Sequence, residues 1–211
     1  MKHIKIDINN INMNAIYEAA EYIKKGELVI FPTETVYGLA ADALNIDAVK
    51  KIYIAKQRSD KHSLPVQIDS IEKLSDVAVN ISESAIKIGK KYWPGPLTMI
   101  LEKNDKISDF VSGGKKTIGV RIPDHPVALA FIKACGVPII ATSANVSGMG
   151  YTISADDAIK GLEEYVSILI DSGQSEDGLP STIIDVTTPE INLLRQGSIN
   201  INDIIKTIQE V

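Results

Sequence analysis

Six basic side chains lie in or beside short polar segments that interrupt strand-like apolar runs. They are Lys56, Arg58, Lys115, Lys116, Arg121 and Arg195. A guanidinium group can bind a carboxylate or a phosphate through two parallel N–H donors, and an ammonium group supplies a point charge. Because loops at strand ends commonly form binding sites, the set predicts a pocket for a substrate that carries both a carboxylate and a phosphate.

Four polar segments are the candidates for the walls of such a pocket. They read PTETVYG at residues 32–38, KQR at residues 56–58, TSAN at residues 142–145 and LRQG at residues 194–197. Taken singly, each segment also fits a structural role. The PTET run is typical of a capped turn, Lys56 and Arg58 could complement a helix dipole, and Arg121 could be a partly buried salt-bridge partner. The residues alone leave these alternatives open.

Several other kinds of site are absent from the sequence. There is no GxxxxGK[ST] phosphate loop and no GxGxxG dinucleotide loop. The three histidines, His3, His62 and His125, lack the spacing of a zinc site, so no protein-bound metal is predicted. Ser143 lacks the GxSxG context of a hydrolase nucleophile. Cys135 lies in an apolar stretch and is predicted to be a packed core thiol.

The charge balance bears on the kind of ligand that the pocket would take. The chain has 22 basic and 27 acidic residues, which gives a net charge of −5. Proteins that hold nucleic acid through phosphate contacts tend to be basic, because the release of counterions drives that binding. The balance therefore favours a small-molecule anion and predicts weak or no direct binding of nucleic acid.

Length and composition predict one compact domain over residues 1–211 in a reducing, cytoplasmic environment. A chain of 211 residues, 45% of them hydrophobic, can bury a large core. No linker, repeat or low-complexity segment divides it. The single cysteine cannot form a disulfide within the chain. Neither the N-terminal MKHIKIDINNIN nor any later run has the apolar length of a signal peptide or a membrane span.

Apolar periodicity predicts the elements that position these segments. Helices are predicted at residues 11–23, 48–55, 82–92, 127–133, from 155 and from 201, and strands at residues 28–31, 64–68, 97–101, 117–122, 137–141, 166–170, 182–186 and 191–194. Gly26 is predicted to end the first helix, and Asp47 to cap the second. The irregular alternation of helices and strands predicts an α+β fold with a twisted mixed sheet and flanking helices.

Two short segments are predicted to lie outside regular helices. Residues two apart on a helix point about 200° away from each other. Lys56 and Arg58 can therefore face one phosphate chain only if the helix has ended by Lys56, which predicts a non-helical Arg58. The SGGKK run at residues 112–116 reads as a mobile loop. It is either a cover that excludes water from the pocket or a plain connection.

Seven segments of the sequence, in order, resemble the YrdC-like threonylcarbamoyl-AMP synthase family over nearly the entire chain. They are FPTETVYGLAADA from Phe31, AKQR from Ala55, WPGPLTMIL from Trp93, TIGVRIPDHP from Thr117, ATSANVSG from Ala141, PSTIIDV from Pro180 and LLRQG from Leu193. The resemblance implies a single YrdC-like domain whose sheet and helices enclose a positively charged cavity.

The resemblance also implies an activity, that of an L-threonylcarbamoyladenylate synthase. L-threonine and bicarbonate would give a carbamate, whose oxygen attacks the α-phosphate of ATP and expels pyrophosphate, with Mg²⁺ accompanying ATP. The product, threonylcarbamoyl-AMP, would pass to the tRNA threonylcarbamoyltransferase machinery that modifies adenosine 37 of tRNAs. Fixed cations would carry the catalysis, since such transfers place negative charge on the transferring phosphate. Direct tRNA binding by this chain is expected to be weak or absent, and no membrane is involved.

The resemblance assigns site residues by position in the matching segments. Threonine-binding residues would be Thr35, Gln67, Arg121, Ser143 and Ser181. ATP-binding residues would be Lys56, Arg58, His62, Thr117, Asn145 and Arg195, of which Lys56 and Arg58 would be the catalytic cations. Two departures from the family pattern stand out: KQRSDKHSLPVQ replaces the common KGRPxxNPL, and a proline precedes Ser-Thr in PSTIIDV where a glutamate is more usual.

Two other functions compete with this interpretation. A cationic concave face also suits an RNA-binding or ribosome-assembly module, although the net charge of −5 and the lack of interleaved aromatic residues disfavour it. A relative that forms a carbamoyl adenylate on another substrate is the second alternative. A requirement for threonine distinguishes it from the threonylcarbamoyladenylate synthase.

Overall fold

A computed structural model describes residues 1–209, and residues 210 and 211, the end of the predicted single domain, lie outside the described residues. The strands are β1 (Lys2–Lys5), β2 (Leu28–Phe31), β3 (Gly38–Asp42), β4 (Val66–Gln67), β5 (Ala78–Val79), β6 (Leu97–Lys103), β7 (Thr117–Arg121), β8 (Ile139–Ser143), β9 (Val166–Asp171), β10 (Thr182–Asp185) and β11 (Asn192–Arg195). The helices are α1 (Met13–Lys24), α2 (Ile46–Ala55), α3 (Glu83–Tyr92), α4 (Asp109–Ser112), α5 (Pro126–Cys135), α6 (Ala155–Ala158) and α7 (Ile201–Gln209), with a 3₁₀ helix at Ile71–Asp76.

All of these strands belong to one sheet in the order β1-β9-β2-β3-β8-β4-β7-β6-β10-β11, and β5 pairs with β6 beside that path. The neighbours β1 and β9, β2 and β9, β4 and β7, and β6 and β10 are parallel, whereas β2 and β3, β3 and β8, β4 and β8, and β6 and β7 are antiparallel. The predicted mixed sheet with flanking helices is therefore confirmed.

Helices cover both faces of the sheet, and β2 shows why its sequence is apolar throughout. Successive side chains of a strand point to opposite faces. Leu28 and Ile30 join a hydrophobic cluster with α2 and α3, whereas Val29 and Phe31 join a second cluster with α1 and α5. A strand buried on both faces reads as a continuous apolar run, and all four residues of β2 are fully buried.

Most predicted elements are confirmed, and the differences have local physical causes. The predicted strand at residues 64–68 shortens to β4, because Leu64 donates its backbone N–H to Val111, outside the sheet, and Pro65 has no N–H to donate. Strand β3 was not predicted, since its GLAAD sequence has little β propensity. It forms because β2 and β8 pair with it on both sides.

The predicted cap of α2 is wrong by two residues. Asn45, not Asp47, is the N-cap, and its side-chain oxygen accepts hydrogen bonds from the backbone N–H groups of Asp47 (3.1 Å) and Ala48 (3.2 Å). Asp47 lies in the first turn and pairs with Lys50 at 3.0 Å on the exposed surface. Both residue types suit an N-cap, so the sequence alone does not decide between them.

The SGGKK run, predicted as a loop, includes the end of a helix. Ser112 is the last residue of α4 and is fully buried, and Gly113 takes a left-handed conformation with φ +62°. A Cβ on Gly113 would lie 2.6 Å from the carbonyl oxygen of Lys61, which is closer than a Cβ atom approaches a non-bonded oxygen in folded proteins. Gly113 therefore lets α4 approach the segment that follows Arg58.

Within residues 1–209, no helix combines the length and apolar character that a bilayer crossing requires.

The corrected cap makes a prediction for stability. Asn45→Ala should lower the free energy of unfolding by about 1 kcal/mol, because two N–H groups of α2 lose their acceptor. Asp47→Ala should lower it by about 0.5 kcal/mol or less, since it removes an exposed pair and a favourable dipole contact. Urea titrations of both variants beside the wild type measure the difference. A larger loss for Asp47→Ala would restore it as the cap.

Candidate active site

A cavity of about 410 Å³ opens over the middle of the sheet, where seven neighbouring strands, from β3 to β11 in the sheet order, contribute to its wall. Arg58, Arg121 and Arg195 line it, and no lining residue in the described part of the chain is acidic. The remaining wall alternates hydroxyl groups with apolar side chains. The positive charge predicted for the cavity stays a prediction, because the buried carboxylate of Glu34, which does not line the cavity, pairs with Arg121.

Seven of the predicted site residues line this cavity. They are Thr35, Arg58, Gln67, Arg121, Ser143, Ser181 and Arg195. The structure therefore brings the four segments chosen from the sequence to one place. The roles given to these residues stay predictions, since lining a cavity does not identify its ligand. The other four predicted residues, Lys56, His62, Thr117 and Asn145, are not part of the lining.

Arg121, the last residue of β7, is fixed from three directions. Its Nε donates to the carbonyl oxygen of Gly95 at 3.1 Å, and its Nη1 donates to Thr35 Oγ1 at 3.0 Å. Its Nη2 lies 2.6 Å from Glu34 Oε1. That contact is an ion pair whose angle falls outside hydrogen-bond geometry. Arg121 is thus a salt-bridge partner that also lines the cavity, and its ligand-binding role stays a prediction.

The PTET segment likewise combines a turn with a cavity wall. Thr33 Oγ1 donates to the carbonyl oxygen of Val36 at 2.6 Å and lies 3.0 Å from Thr35 Oγ1. The backbone N–H of Val36 donates back to Thr33 Oγ1 at 3.2 Å. This small network fixes the turn, and it places Thr35, which is fully buried, beside Arg121.

Arg195 and Ser181 form a second polar cluster on the wall. Arg195 donates from Nε to the carbonyl oxygen of Ser181 at 3.0 Å and from Nη2 to Ser181 Oγ at 3.1 Å. Ser181 Oγ lies 2.8 Å from Thr98 Oγ1. Burial lowers the pKa of Arg195, which nonetheless stays charged at neutral pH. A Cβ on Gly197 would lie 2.4 Å from the carbonyl oxygen of Pro180, so the glycine of the LLRQG segment permits this close approach.

Arg58 follows the end of α2, as its predicted position requires. The helix stops at Ala55, Gln57 takes a left-handed φ of 50°, and Arg58 is outside any helix. The prediction of a non-helical Arg58 is therefore confirmed. Arg58 is half-buried, and its Nη2 lies 3.4 Å from the carbonyl oxygen of Ser63. The guanidinium lines the cavity, and this one long contact among the described residues leaves most of its donors available.

Lys56 does not line the cavity, although it is only two residues from Arg58. Its Nζ donates to the carbonyl oxygens of Ser143 (2.5 Å) and Asn145 (2.8 Å) and to Asn145 Oδ1 (3.3 Å). The side chain is 2% exposed. Burial, and to a smaller extent the charge of Arg58, lowers the pKa of Lys56 from 10.5 to about 7.

The remaining predicted residues have other surroundings. His62 is exposed, and its carbonyl oxygen accepts a hydrogen bond from Tyr53 Oη at 2.8 Å. Thr117 begins β7 and pairs in register with Glu102 of β6. Asn145 is buried and donates from Nδ2 to the carbonyl oxygens of Val146 and Met149. Residues 112–116, the predicted cover, do not line the cavity.

The sequence analysis missed three residues that shape the site. Glu34 was quoted within PTET but not assigned, and its partner Arg121 lies far along the chain, so no local sequence signal pairs the two residues. Thr98 lines the cavity from β6 and bonds Ser181. Tyr151 lines the cavity from an exposed glycine-flanked segment, where nothing in the local sequence indicates a site.

No group of three or more His, Cys, Asp or Glu residues in the described chain is arranged to hold a metal ion. The cavity wall offers neutral oxygens from hydroxyl groups and from Gln67, but no carboxylate. Because Mg²⁺ is usually held by carboxylates together with phosphates, the wall does not fit a magnesium ion held by the protein alone.

The profile of the Sua5/YciO/YrdC family, which is described as telomere recombination, matches residues 21–197. That range contains the cavity and all seven predicted residues that line it. The chain belongs to the Sua5/YciO/YrdC family. The family resemblance found in the sequence is therefore confirmed.

Individual members of the Sua5/YciO/YrdC family are similar to this chain over most of its length. The threonylcarbamoyl-AMP synthase of Pyrococcus abyssi is 42% identical over 92% of this chain and 57% of its own length. That of Bacillus subtilis is 43% identical over 87% of this chain and 54% of its own length. A crystal structure of Pyrococcus abyssi Sua5 complexed with L-threonine superposes with a TM-score of 0.95 at 39% identity, covering 100% of this chain and 62% of that one. The chain thus spans little more than half the length of these relatives.

The lowered pKa of Lys56 predicts a pH dependence of stability. Between about pH 7 and 10.5 the unfolded chain keeps the Lys56 proton and the folded chain has released it, so the free energy of unfolding rises with pH. The difference between wild type and Lys56→Met should grow by about 1 kcal/mol per pH unit from pH 7 to 9. Urea titrations at several pH values measure it, and other titrating groups cancel because both chains share them. Parallel curves would mean that the three oxygen acceptors keep the ammonium form up to high pH.

Proposed function

We propose that this chain joins L-threonine, bicarbonate and ATP to give threonylcarbamoyl-AMP and pyrophosphate. The observation that carries the proposal is the convergence of Arg58, Arg121 and Arg195 on one cavity whose described wall has no acidic side chain. A carboxylate and a polyphosphate could both be bound there. The activity named for the similar relatives, and the L-threonine complex of Pyrococcus abyssi Sua5, support the same choice.

In this proposal threonine occupies the Arg121 side of the cavity. Arg121 would bind the carboxylate, and Thr35, Ser143 and Ser181 would contact the amino and hydroxyl groups. Gln67 supports this placement, because its Oε1 is buried and has no hydrogen-bond partner among the described residues. A buried acceptor without a donor costs about 1–3 kcal/mol. The amino or hydroxyl group of threonine would supply that donor.

ATP would lie toward Arg58 and Arg195. The amine of threonine first attacks the carbon of bicarbonate and water leaves, which gives the carbamate. A carbamate oxygen then attacks the α-phosphorus, the bond to the β-phosphate oxygen breaks, and its electron pair leaves on pyrophosphate. The two guanidinium groups would stabilise the negative charge that builds on the phosphates. No side-chain nucleophile is needed, and Mg²⁺ would enter as the counterion of ATP.

The apolar part of the wall would protect the intermediates. Pro65, Ile100, Ala141 and Ile183 line the cavity between the polar clusters. Carbamates and mixed anhydrides hydrolyse in water, and a wall that holds few water molecules slows that side reaction. We also propose that this proceeds in the cytoplasm, and that the adenylate passes to the transferase machinery for adenosine 37 of tRNA. The chain itself would bind tRNA weakly or not at all.

Omission of single components tests the reaction directly. With threonine, bicarbonate, Mg²⁺ and ATP together, the protein should release pyrophosphate, and omission of threonine or of bicarbonate should each abolish the release because the carbamate cannot form. A coupled pyrophosphate assay measures this. Equal release without threonine would assign the site to another carbamoyl-adenylate substrate. Tight tRNA binding at physiological salt would instead favour the RNA-binding alternative.

Arg58 is the cation best suited to a test by substitution. Its one described contact is long, so Arg58→Ala leaves no buried partner behind and should shift the melting temperature by about 2 °C or less. Loss of a preorganised donor to the phosphates should reduce kcat/KM for ATP about 100-fold, which is about 3 kcal/mol.

The matched control for Arg58→Ala is Lys61→Ala, which removes an exposed cation three residues away that does not line the cavity. Lys61→Ala should leave kcat/KM for ATP within about twofold of wild type, since a screened surface charge contributes little. Similar losses in both variants would indicate a diffuse electrostatic effect. Normal kinetics of Arg58→Ala would remove Arg58 from the site.

A further inference from the structure

Residues 143–151, which begin with the last residue of β8, reach the cavity at both ends of the segment. Ser143 and Tyr151 line the wall, whereas residues 145–149 do not. We call residues 143–151 the β8 loop. No helix or strand covers its residues 144–151, so the position of Tyr151 depends on individual hydrogen bonds rather than on a regular element.

Lys56 bonds to the β8 loop with both its side chain and its backbone. Its Nζ donates to the carbonyl oxygens of Ser143 (2.5 Å) and Asn145 (2.8 Å) and to Asn145 Oδ1 (3.3 Å). Its own carbonyl oxygen accepts the backbone N–H of Ser147 at 3.0 Å. Asn145 extends the network, because its Nδ2 donates to the carbonyl oxygens of Val146 and Met149.

The ammonium group of Lys56 has no donor left for a ligand. An ammonium carries three N–H donors and no acceptor, and three oxygens of the β8 loop lie within reach. The side chain is 2% exposed and does not line the cavity. A phosphate could reach Nζ only if contacts to the loop were first broken. The neighbouring Arg58, in contrast, lines the cavity and makes one long contact.

We propose that Lys56 is a positioning residue, which fixes the β8 loop where it leaves β8 at Ser143 and thereby sets Tyr151 in the wall of the cavity, without contacting the substrate. The part of this inference that concerns ligands depends on the proposed function. The part that concerns loop order does not, because it follows from contacts in the ligand-free chain. Loss of Lys56 should therefore affect everything that the β8 loop positions, and not the phosphates alone.

Hydrogen–deuterium exchange of the ligand-free protein tests the loop order. The experiment is done at pH 6, which is below the Lys56 pKa of about 7, so Lys56 is mainly an ammonium. In Lys56→Met the backbone amides of residues 144–149, and that of Ser147 above all, should exchange at least about tenfold faster than in wild type. Exchange in β9 should stay unchanged. The matched control is Lys51→Met. Lys51 lies in α2, and its Nζ donates to the carbonyl oxygen of Gly26 (2.8 Å) and to Glu27 Oε1 (3.0 Å), not to the β8 loop.

Two outcomes of the exchange experiment would overturn the proposal. Unchanged exchange in the β8 loop would show that Lys56 does not order it. Equal acceleration in the loop and in β9 would assign Lys56 a general role in stability. If Lys56→Met does not fold, Asn145→Ala, which removes the bonds to Val146 and Met149, takes its place. It should release residues 146–149, and normal protection of those residues would also overturn the proposal.

Calorimetric titrations separate a positioning role from direct phosphate binding. If Lys56 acts through the β8 loop, Lys56→Met should weaken the binding of threonine and of ATP alike, each about tenfold, because the whole loop that joins Ser143 to Tyr151 in the wall loses its order. If Lys56 contacts phosphate directly, only ATP binding should weaken, and that result would overturn the proposal. A wild-type protein that binds neither ligand would refute the proposed function instead, while the exchange experiment still decides the role of Lys56.

Discussion

The ion pair between Glu34 and Arg121 joins two segments that the sheet alone would leave independent. Glu34 lies in the turn between β2 and β3, and Arg121 ends β7. Both side chains are about nine-tenths buried, so removal of either partner would leave an uncompensated buried charge, which typically costs several kcal/mol. Such a pair adds little net stability over an apolar replacement. Its consequence here is orientation, because Glu34, Thr35 and the carbonyl oxygen of Gly95 together leave the Arg121 guanidinium one position.

The same principle recurs at a second polar cluster in the cavity wall, where side chains also orient each other before any ligand arrives. Ser181 accepts from Arg195 and shares a hydrogen bond with Thr98. Preorganised donors stabilise developing charge without having to reorient during the reaction. Arg58 differs from both other arginines, since its described contact is weak. The cavity therefore combines two fixed cations with one that can adjust.

The sequence was sufficient where a single local rule decides the outcome. The apolar run at residues 28–31 predicted β2 with the bounds that it has. It was insufficient where two choices are locally equal or where distant partners decide. Asn45 and Asp47 are equally good caps, and β3 exists only because β2 and β8 enclose it. For the site, the residue types were enough to find seven residues that line the cavity. The direction of the flexible Lys56 side chain, however, is set by the carbonyl oxygens of Ser143 and Asn145, which are about 90 residues away in the sequence. That distance is why Lys56 could not be separated from Arg58.

The walls of the cavity come from residues 33 to 195, and this span has a consequence for synthesis of the chain. β2 pairs in parallel with β9, and β6 pairs in parallel with β10, so the central strands wait for partners made much later. Such non-local pairing is slow to form and exposes strand edges meanwhile. On the ribosome Arg58 and Arg121 would be present long before Arg195, the third arginine of the wall, is made. The cavity can therefore form only after β10 and β11 have left the exit tunnel, and no molecule that binds in it could stabilise a shorter, growing chain.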